Sequence, residues 1–356
     1  MTPSPTEITL ALNPESRIDI INVSESVIRE NEDFFSAFRK SLFCSYHTTA
    51  GYFEQAFCNR LNNNPDALQA YVGTFRRLFP PEANYQHDQM ELREELSSAQ
   101  KQVEPRNADS HLTYIGSGLE NCVTYKNDPD SPVFFVDLDG LNGDIKRLRK
   151  TTVIGYNSES VAAREQLEVK MSAHPIDSVN LWDPKLGVIQ MLEDRVQELG
   201  IQKGRIELTL DASERNTGLT VNEYETLLMQ HDLVDVLHNP IRFMAQKGRN
   251  MLRDPKAIKE KAKDYAKYDL VHVVNEFIEA MGLSESLIER IIDKFLAVPA
   301  ARFLRMKRSV SLVVSDDVEP GSSRIITGTY QSPILVQWQK AVEGKRSLNI
   351  TFTRFV

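Results

Sequence analysis

Apolar and polar positions along the chain alternate in two distinct rhythms. Arg17-Ile18-Asp19-Ile20-Ile21-Asn22-Val23 alternates and is β-branched, so it reads as a strand. Ser24 then stands where a helix cap belongs, ahead of Val27 and Ile28. Ser41-Leu42-Phe43-Cys44-Ser45-Tyr46 is a short continuous apolar run, the signature of a strand covered on both faces. Leu68, Tyr71, Val72, Phe75 and Leu78 fall at helical spacing after Asn62-Asn63-Asn64-Pro65 and before Pro80-Pro81. Residues 88–106 are highly charged, a solvated helix or a linker. Asn107 to Leu112 reads as a cap and helix start. Strands are predicted at Cys122–Tyr125, Val133–Val136 and Leu148–Tyr156.

The rhythm then repeats. Residues 157–163 form a polar joint, followed by a strand at Leu167–Met171, a helix over Leu186–Leu199 stopped by Gly200, and a strand over 205–210. A helix is expected over 223–237 and a long helical insert between Pro240 and Pro299. The insert is Lys-rich first and amphipathic over 270–296. Strands at Val310–Val314, Ile325–Gly328, Ile334–Trp338 and Leu348–Phe352 close the chain. Self-similarity at this scale outranks single-residue arguments about fold. It predicts a tandem duplication giving a two-domain α+β protein. Met1 to Pro14, rich in Pro and Thr, reads as a loose arm. The expected divisions are an arm at 1–16, a first domain at 17–157, and a second at 164–356 with its insert at about 240–300.

Each copy carries a polar motif after an equivalent strand. His47-Thr48-Thr49-Ala50-Gly51 closes the first apolar run. Asn216-Thr217-Gly218-Leu219-Thr220-Val221-Asn222-Glu223 closes Ile206-Glu207-Leu208-Thr209-Leu210. The length of 356 residues favours two cores over one. A net charge of −8 argues against general nucleic-acid or anionic-membrane binding. No apolar run approaches the ~18 residues of a spanning helix, and Met1–Pro14 has no signal-peptide pattern. Cys44, Cys58 and Cys122 form no CxxC pair and no disulfide framework, so reduced thiols in a cytoplasmic protein are expected.

His47, His87 and His111 are candidate metal ligands, because three imidazoles leaving an open position make a catalytic-site pattern. Their spacing matches no local metal motif, so surface or core-satisfied histidines are the blander account. Asp88 and Asp109 adjoin two of them and can orient the rings, although a helix cap explains Asp109 equally well. Arg147, Arg149 and Lys150 can hold phosphate, or form a solvated face.

These residues resemble a known family. The strand 17–24, the His47–Gly51 turn, Tyr85-Gln86-His87-Asp88, Asn107-Ala108-Asp109-Ser110-His111-Leu112 and Asp137-Leu138-Asp139-Gly140 are similar, in order, to motifs of the YjbQ-like family, often labelled secondary thiamine-phosphate synthase. In the second half, Gly218 to Glu223 and Gly328-Thr329-Tyr330-Gln331 resemble two further motifs of that family. The departures are complementary. In the first half the Asn-Glu pair falls on Gln55-Ala56 and the last motif on Asp128 to Ser131. In the second half the signature His falls on Glu214, Arg302-Phe303-Leu304 stands in the helical motif's place, and the acidic strand reads Gln337-Trp338-Gln339-Lys340.

The resemblance implies two tandem YjbQ-like α/β sandwich domains, a trimer-based homo-oligomer, and a metal-dependent enzyme with thiamine-phosphate-synthase-like activity on a small, phosphorylated or unphosphorylated substrate. One composite site is expected. His47, His87 and His111 would hold a divalent metal, with zinc the first candidate. Glu223, Gln331 and Asn222 would supply the base and substrate contacts. No nucleic acid and no membrane are expected as partners. The alternative is a non-catalytic pseudoenzyme or oligomeric scaffold, with the amphipathic 270–296 stretch as its interaction surface.

Overall fold

The computed structural model describes residues 3–81, 85–92, 97–128, 131–173, 177–222, 307–319, 322–337 and 339–356. The architecture is mixed α+β with strands predominating. In chain order the first half runs β1 (Thr6–Leu12), β2 (Asp19–Asn22), α1 (Val23–Glu30), α2 (Phe34–Ala37), β3 (Lys40–Ser45), β4 (Ala50–Gly51), α3 (Gln55–Arg60), α4 (Pro65–Leu78), α5 (Ser98–Val103), α6 (Ala108–Ser117), β5 (Cys122–Lys126), β6 (Phe134–Asp137), β7 (Leu141–Asn142), β8 (Ile145–Lys146) and β9 (Arg149–Tyr156). The second half runs β10 (Glu159–Lys170), β11 (Asp177–Asn180), α7 (Val188–Glu198), β12 (Gly204–Leu210), β13 (Thr217–Asn222), β14 (Ser309–Glu319), β15 (Ser322–Ile326), β16 (Gln331–Gln337) and β17 (Lys345–Phe355).

Two pairs of sheets carry the same order of pairings. A large antiparallel sheet is ordered β1-β9-β3-β5 in the first half and β10-β17-β12-β14-β15 in the second. A small sheet is ordered β2-β6-β4 in the first half and β11-β16-β13 in the second. The registers agree too. Ala50 and Asp19 both pair with Asp137, as Thr217 and Asp177 both pair with Gln337.

The apolar run of β3 is explained by two covered faces. Phe43 points with Val123 and Val153 toward the small sheet, against Tyr52 and Phe135. Leu42 and Cys44 point the other way with Cys122, Ile154 and Tyr156, and meet Val313 and Phe355 of the second half. The Tyr156 and Phe355 rings stack there at 4.0 Å. Helices α3, α4 and α6 cover the outer side of the first small sheet, and Ile334 and Val336 of β16 join that core. The halves therefore share two apolar layers.

Three expectations are corrected. The segment 1–16, expected as a loose arm, holds β1, an edge strand of the large sheet that pairs residue for residue with β9 from Thr6↔Gly155 to Leu12↔Arg149. The expected joint at 157–163 is shorter, because β10 already starts at Glu159 and pairs with Phe355. Asn22, not Ser24, caps α1, its side chain accepting from Glu25 N; Ser24 Oγ instead accepts from Val133 N at 2.9 Å. By contrast the helix that the apolar spacing predicts after Pro65 forms as α4, and Asn64, read only as part of a turn, caps it with Pro in the first turn. The predicted helix 223–237, the 240–300 insert and its 270–296 stretch, and Arg302 to Leu304 lie outside the described residues.

Candidate functional site

The β3 strand delivers the turn that carries His47. Ser45 Oγ donates across the turn to Ala50 O at 2.6 Å and accepts from His47 N at 3.3 Å. Gly51 ends it because a side chain there would meet Glu120 O at 2.4 Å. The His47 ring accepts a hydrogen bond at Nε2 from Lys150 N at 2.7 Å. A backbone amide only donates, so the ring proton sits on Nδ1. Burial, then the Arg149 and Arg147 guanidinium charges, push the His47 pKa down to about 3. His47 is thus a neutral imidazole, held by its own neighbouring strand.

Next to it stands the end of β6. Arg149, 2% exposed, forks onto Asp137, with Nε to Oδ2 at 2.6 Å and Nη2 to Oδ1 at 2.7 Å. Arg149 also donates to Asp139 O at 2.5 Å. Arg149 therefore belongs to neither sequence reading of the cation cluster; it is a buried structural ion pair. Arg147 pairs with Asp139, whose Oδ2 also accepts from Asn107 Nδ2 at 2.6 Å. Burial is the largest cause raising the Asp139 pKa, and Arg147 opposes it.

Asn107 leads into α6, which carries Asp109 and His111. The His87 and His111 rings meet edge to face with centroids 5.2 Å apart. Asp88 Oδ1 lies 3.1 Å from His87 Nδ1 and also accepts from Ala108 N at 3.1 Å. A carboxylate oxygen without its proton accepts only, so His87 Nδ1–H is the donor in this contact. Asp109 Oδ1 binds Arg17 Nη2 at 2.7 Å, 2% exposed on the Asp side. Burial lifts its pKa to about 6, with Arg17 and Arg76 pulling the other way and Asp88 and Asp139 adding to the rise. Asn107 holds the cap position of α6 and Asp109 lies inside its first turn, so Asp109 is not the helix cap. Arg17 Nε and Asn107 Oδ1 are buried with no hydrogen-bond partner among the described residues.

The structure thus joins the His87 and His111 rings, whereas the His47 ring is held on Lys150 N and feels Arg147, which pairs with Asp139, only through its charge. Among the described residues, no three His, Cys, Asp or Glu side chains are grouped as metal ligands. From the second half, Gln331 reaches the first. Its Nε2 donates to Ser45 O and His47 O, both at 3.1 Å, and its Oε1 accepts from Gly328 N at 3.1 Å. Gly328 is required there, since a side chain would meet Tyr46 O at 2.0 Å. Asn222 pairs with Gln331 across the β13–β16 ladder. Glu223 lies outside the described residues.

The matching place in the second half has other chemistry. Glu214 stands three residues before Thr217, as His47 stands three before Ala50. Its Oε1 accepts from Ser347 N at 2.8 Å, as His47 accepts from Lys150. Its Oε2 pairs with Arg346 at 2.7 Å, and Arg346 donates to Gln337 and to Gln339 O. A carboxylate–guanidinium pair fills this place. Arg17 and Arg76 are the contributors that sequence reasoning missed. Arg17 read only as part of a strand, and Arg76, which the structure puts in the last turn of α4, was not singled out.

No protein-family model matches the chain, and no curated protein matches it. Solved structures similar to it include a YbjQ-like protein of unknown function from Sulfolobus solfataricus P2, at 16% identity over 55% of this chain and 99% of that one, TM-score 0.29. A hypothetical protein from Aeropyrum pernix K1 is 17% identical over 43% of this chain and 99% of that one, TM-score 0.29. An uncharacterized conserved protein of the yjbq/upf0047 family from Clostridium acetobutylicum is 19% identical over 41% of this chain and 97% of that one, TM-score 0.28. Among the described residues, no helix is long and apolar enough to cross a membrane.

Proposed function

We propose that the chain is a metal-dependent enzyme with one site, in the first half, acting on a small phosphorylated molecule. The observation that carries this reading is the Asp88–His87–His111 arrangement. One carboxylate oxygen holds both the His87 ring and the first turn of α6, and the ring meets His111 at 5.2 Å. A carboxylate behind an imidazole fixes its tautomer and raises its basicity as a ligand. Imidazole nitrogens suit zinc or a similar divalent ion, which supplies Lewis acidity to a phosphoryl or carbonyl oxygen when bound. His87 and His111 are the residues that would hold it; His47 gives its Nε2 lone pair to Lys150 N.

The remaining groups fit proton transfer on an anion. Asp109, with a pKa of about 6, holds or releases a proton near neutral pH. Arg17 and Arg76, whose charges both reach Asp109, offer guanidinium groups to phosphate. His47 offers Nδ1–H as a neutral donor. Gln331 holds the His47 turn from the second half, and Glu223 beyond Asn222 remains a candidate base. The thiamine-phosphate-synthase-like reaction implied by the sequence resemblance is of this class.

We also infer that the two halves are diverged copies, the second having traded its histidine for the Glu214–Arg346 pair. The matching strand orders and registers support this. A trimer-based assembly and a cytoplasmic setting complete the reading.

Metal analysis of the purified chain tests the proposal. Wild type is expected to hold about one zinc, cobalt or nickel ion per site. His87→Ala and His111→Ala lose it, and His47→Ala retains more than either. Undiminished metal in the first two variants overturns the reading. Asp109→Asn should keep inorganic phosphate binding, measured by calorimetry, while losing on the order of 10²-fold or more in turnover.

A further inference from the structure

Cys44 and Cys122 are far apart in sequence, yet the β3–β5 register sets them directly opposite. Their neighbours Ser45 and Asn121 are hydrogen-bonded, Ser45 N donating to Asn121 O at 2.7 Å. Bonded and non-bonded pairs alternate along an antiparallel ladder, so Cys44 and Cys122 form a non-bonded pair. In such pairs the Cα atoms are about 4.5 Å apart and the side chains approach most closely. That separation lies within the ~4.4–6.8 Å that a disulfide spans. Both side chains project into the layer between the two large sheets. Cys58 is engaged elsewhere, its Sγ 3.3 Å from the Tyr125 hydroxyl.

We propose that Cys44 and Cys122 are a reversible dithiol–disulfide pair, oxidised by exchange with a small-molecule disulfide, and that the bond staples β3 to β5. Cys122 is the more accessible at 7% against 3%, so it reacts first. Its thiolate attacks one sulfur of the small disulfide. That S–S bond breaks, one small thiol leaves, and a mixed disulfide forms on Cys122. Cys44, after losing its proton to solvent, attacks the Cys122 sulfur and releases the second small thiol. Two protein thiols are oxidised and one small disulfide is reduced. Burial makes the exchange slow and protects its product. The bond would fix the strand whose end carries the His47 turn.

The full chain, equilibrated over graded ratios of reduced to oxidised glutathione, quenched in acid and alkylated, gives the readout by mass spectrometry. At oxidising ratios the expected product is lighter by two hydrogens, alkylated only at Cys58, and yields a linked peptide joining Cys44 to Cys122. Dithiothreitol should reverse it, and the oxidised chain should melt at a higher temperature. Cys58→Ala should retain the linkage and Cys44→Ala should lose it. Alkylation of all three cysteines at every ratio overturns the proposal. So does a glutathione adduct that never resolves, or a linked peptide containing Cys58.

Discussion

At the residue scale, two groups titrate in opposite senses over nearly one pH window. His47 has its pKa lowered from 6.5 to about 3. Between these values the unfolded chain binds the proton and the folded one does not, so this contribution is lost as pH falls. Asp109 has its pKa raised from 3.8 to about 6. Between those values the folded chain binds more protons, so this contribution grows as pH falls. Asp109→Asn should therefore make wild-type stability fall more steeply between about pH 6 and pH 4. His47→Gln should make it fall less. Urea unfolding at several pH values reads both, and parallel curves for all three chains would refute the assignment. Arg149 and Asp137, 2% and 0% exposed, make a third test. Asp137→Asn leaves the guanidinium partly unpaired in the interior, a change that costs about 3–5 kcal/mol. A cost below about 1 kcal/mol would place the pair in contact with solvent.

At the element scale, the decisive contact is between β16 and the turn after β3. Gln331 makes three hydrogen bonds with its amide, two of them to the backbone of that turn. Gln331→Ala leaves buried polar groups unmatched and should cost about 1–3 kcal/mol. It should also speed hydrogen exchange at Ser45 to Thr49 while leaving the second-half sheet unchanged. Gly328→Ala should be worse, because the added carbon meets Tyr46 O at 2.0 Å, and a drop in melting temperature of several degrees is expected. The helix α4 was legible from its apolar spacing between the Asn62–Pro65 turn and Pro80-Pro81, since periodicity and turn residues are local. Strand β1 was not. The flanking Pro3, Pro5 and Pro14 resemble a linker, and only pairing with β9, far along the chain, makes it a strand.

At the scale of the whole molecule, the halves share buried layers. Phe355 stacks on Tyr156, Arg205 of β12 donates to Thr124 Oγ1 of β5 at 3.1 Å, and Lys203 reaches Glu7 of β1 at 3.1 Å. Phe355→Ala should cost about 3–5 kcal/mol. Unfolding should be one transition, coincident by near-ultraviolet dichroism and tryptophan fluorescence. Two resolved transitions would show that the halves are independent.

Sequence alone determined the order of most elements, the repeated rhythm, and the candidate histidines and carboxylates. Periodicity, capping and motif order are written in residues close together along the chain. Tertiary structure decided what those candidates touch. It gave Lys150 N to His47, Arg17 to Asp109, Arg149 to Asp137 and Gln331 to the His47 turn. It also set Cys44 opposite Cys122. Each of these depends on strand register and on burial, and both arise only when distant segments pack and exclude water.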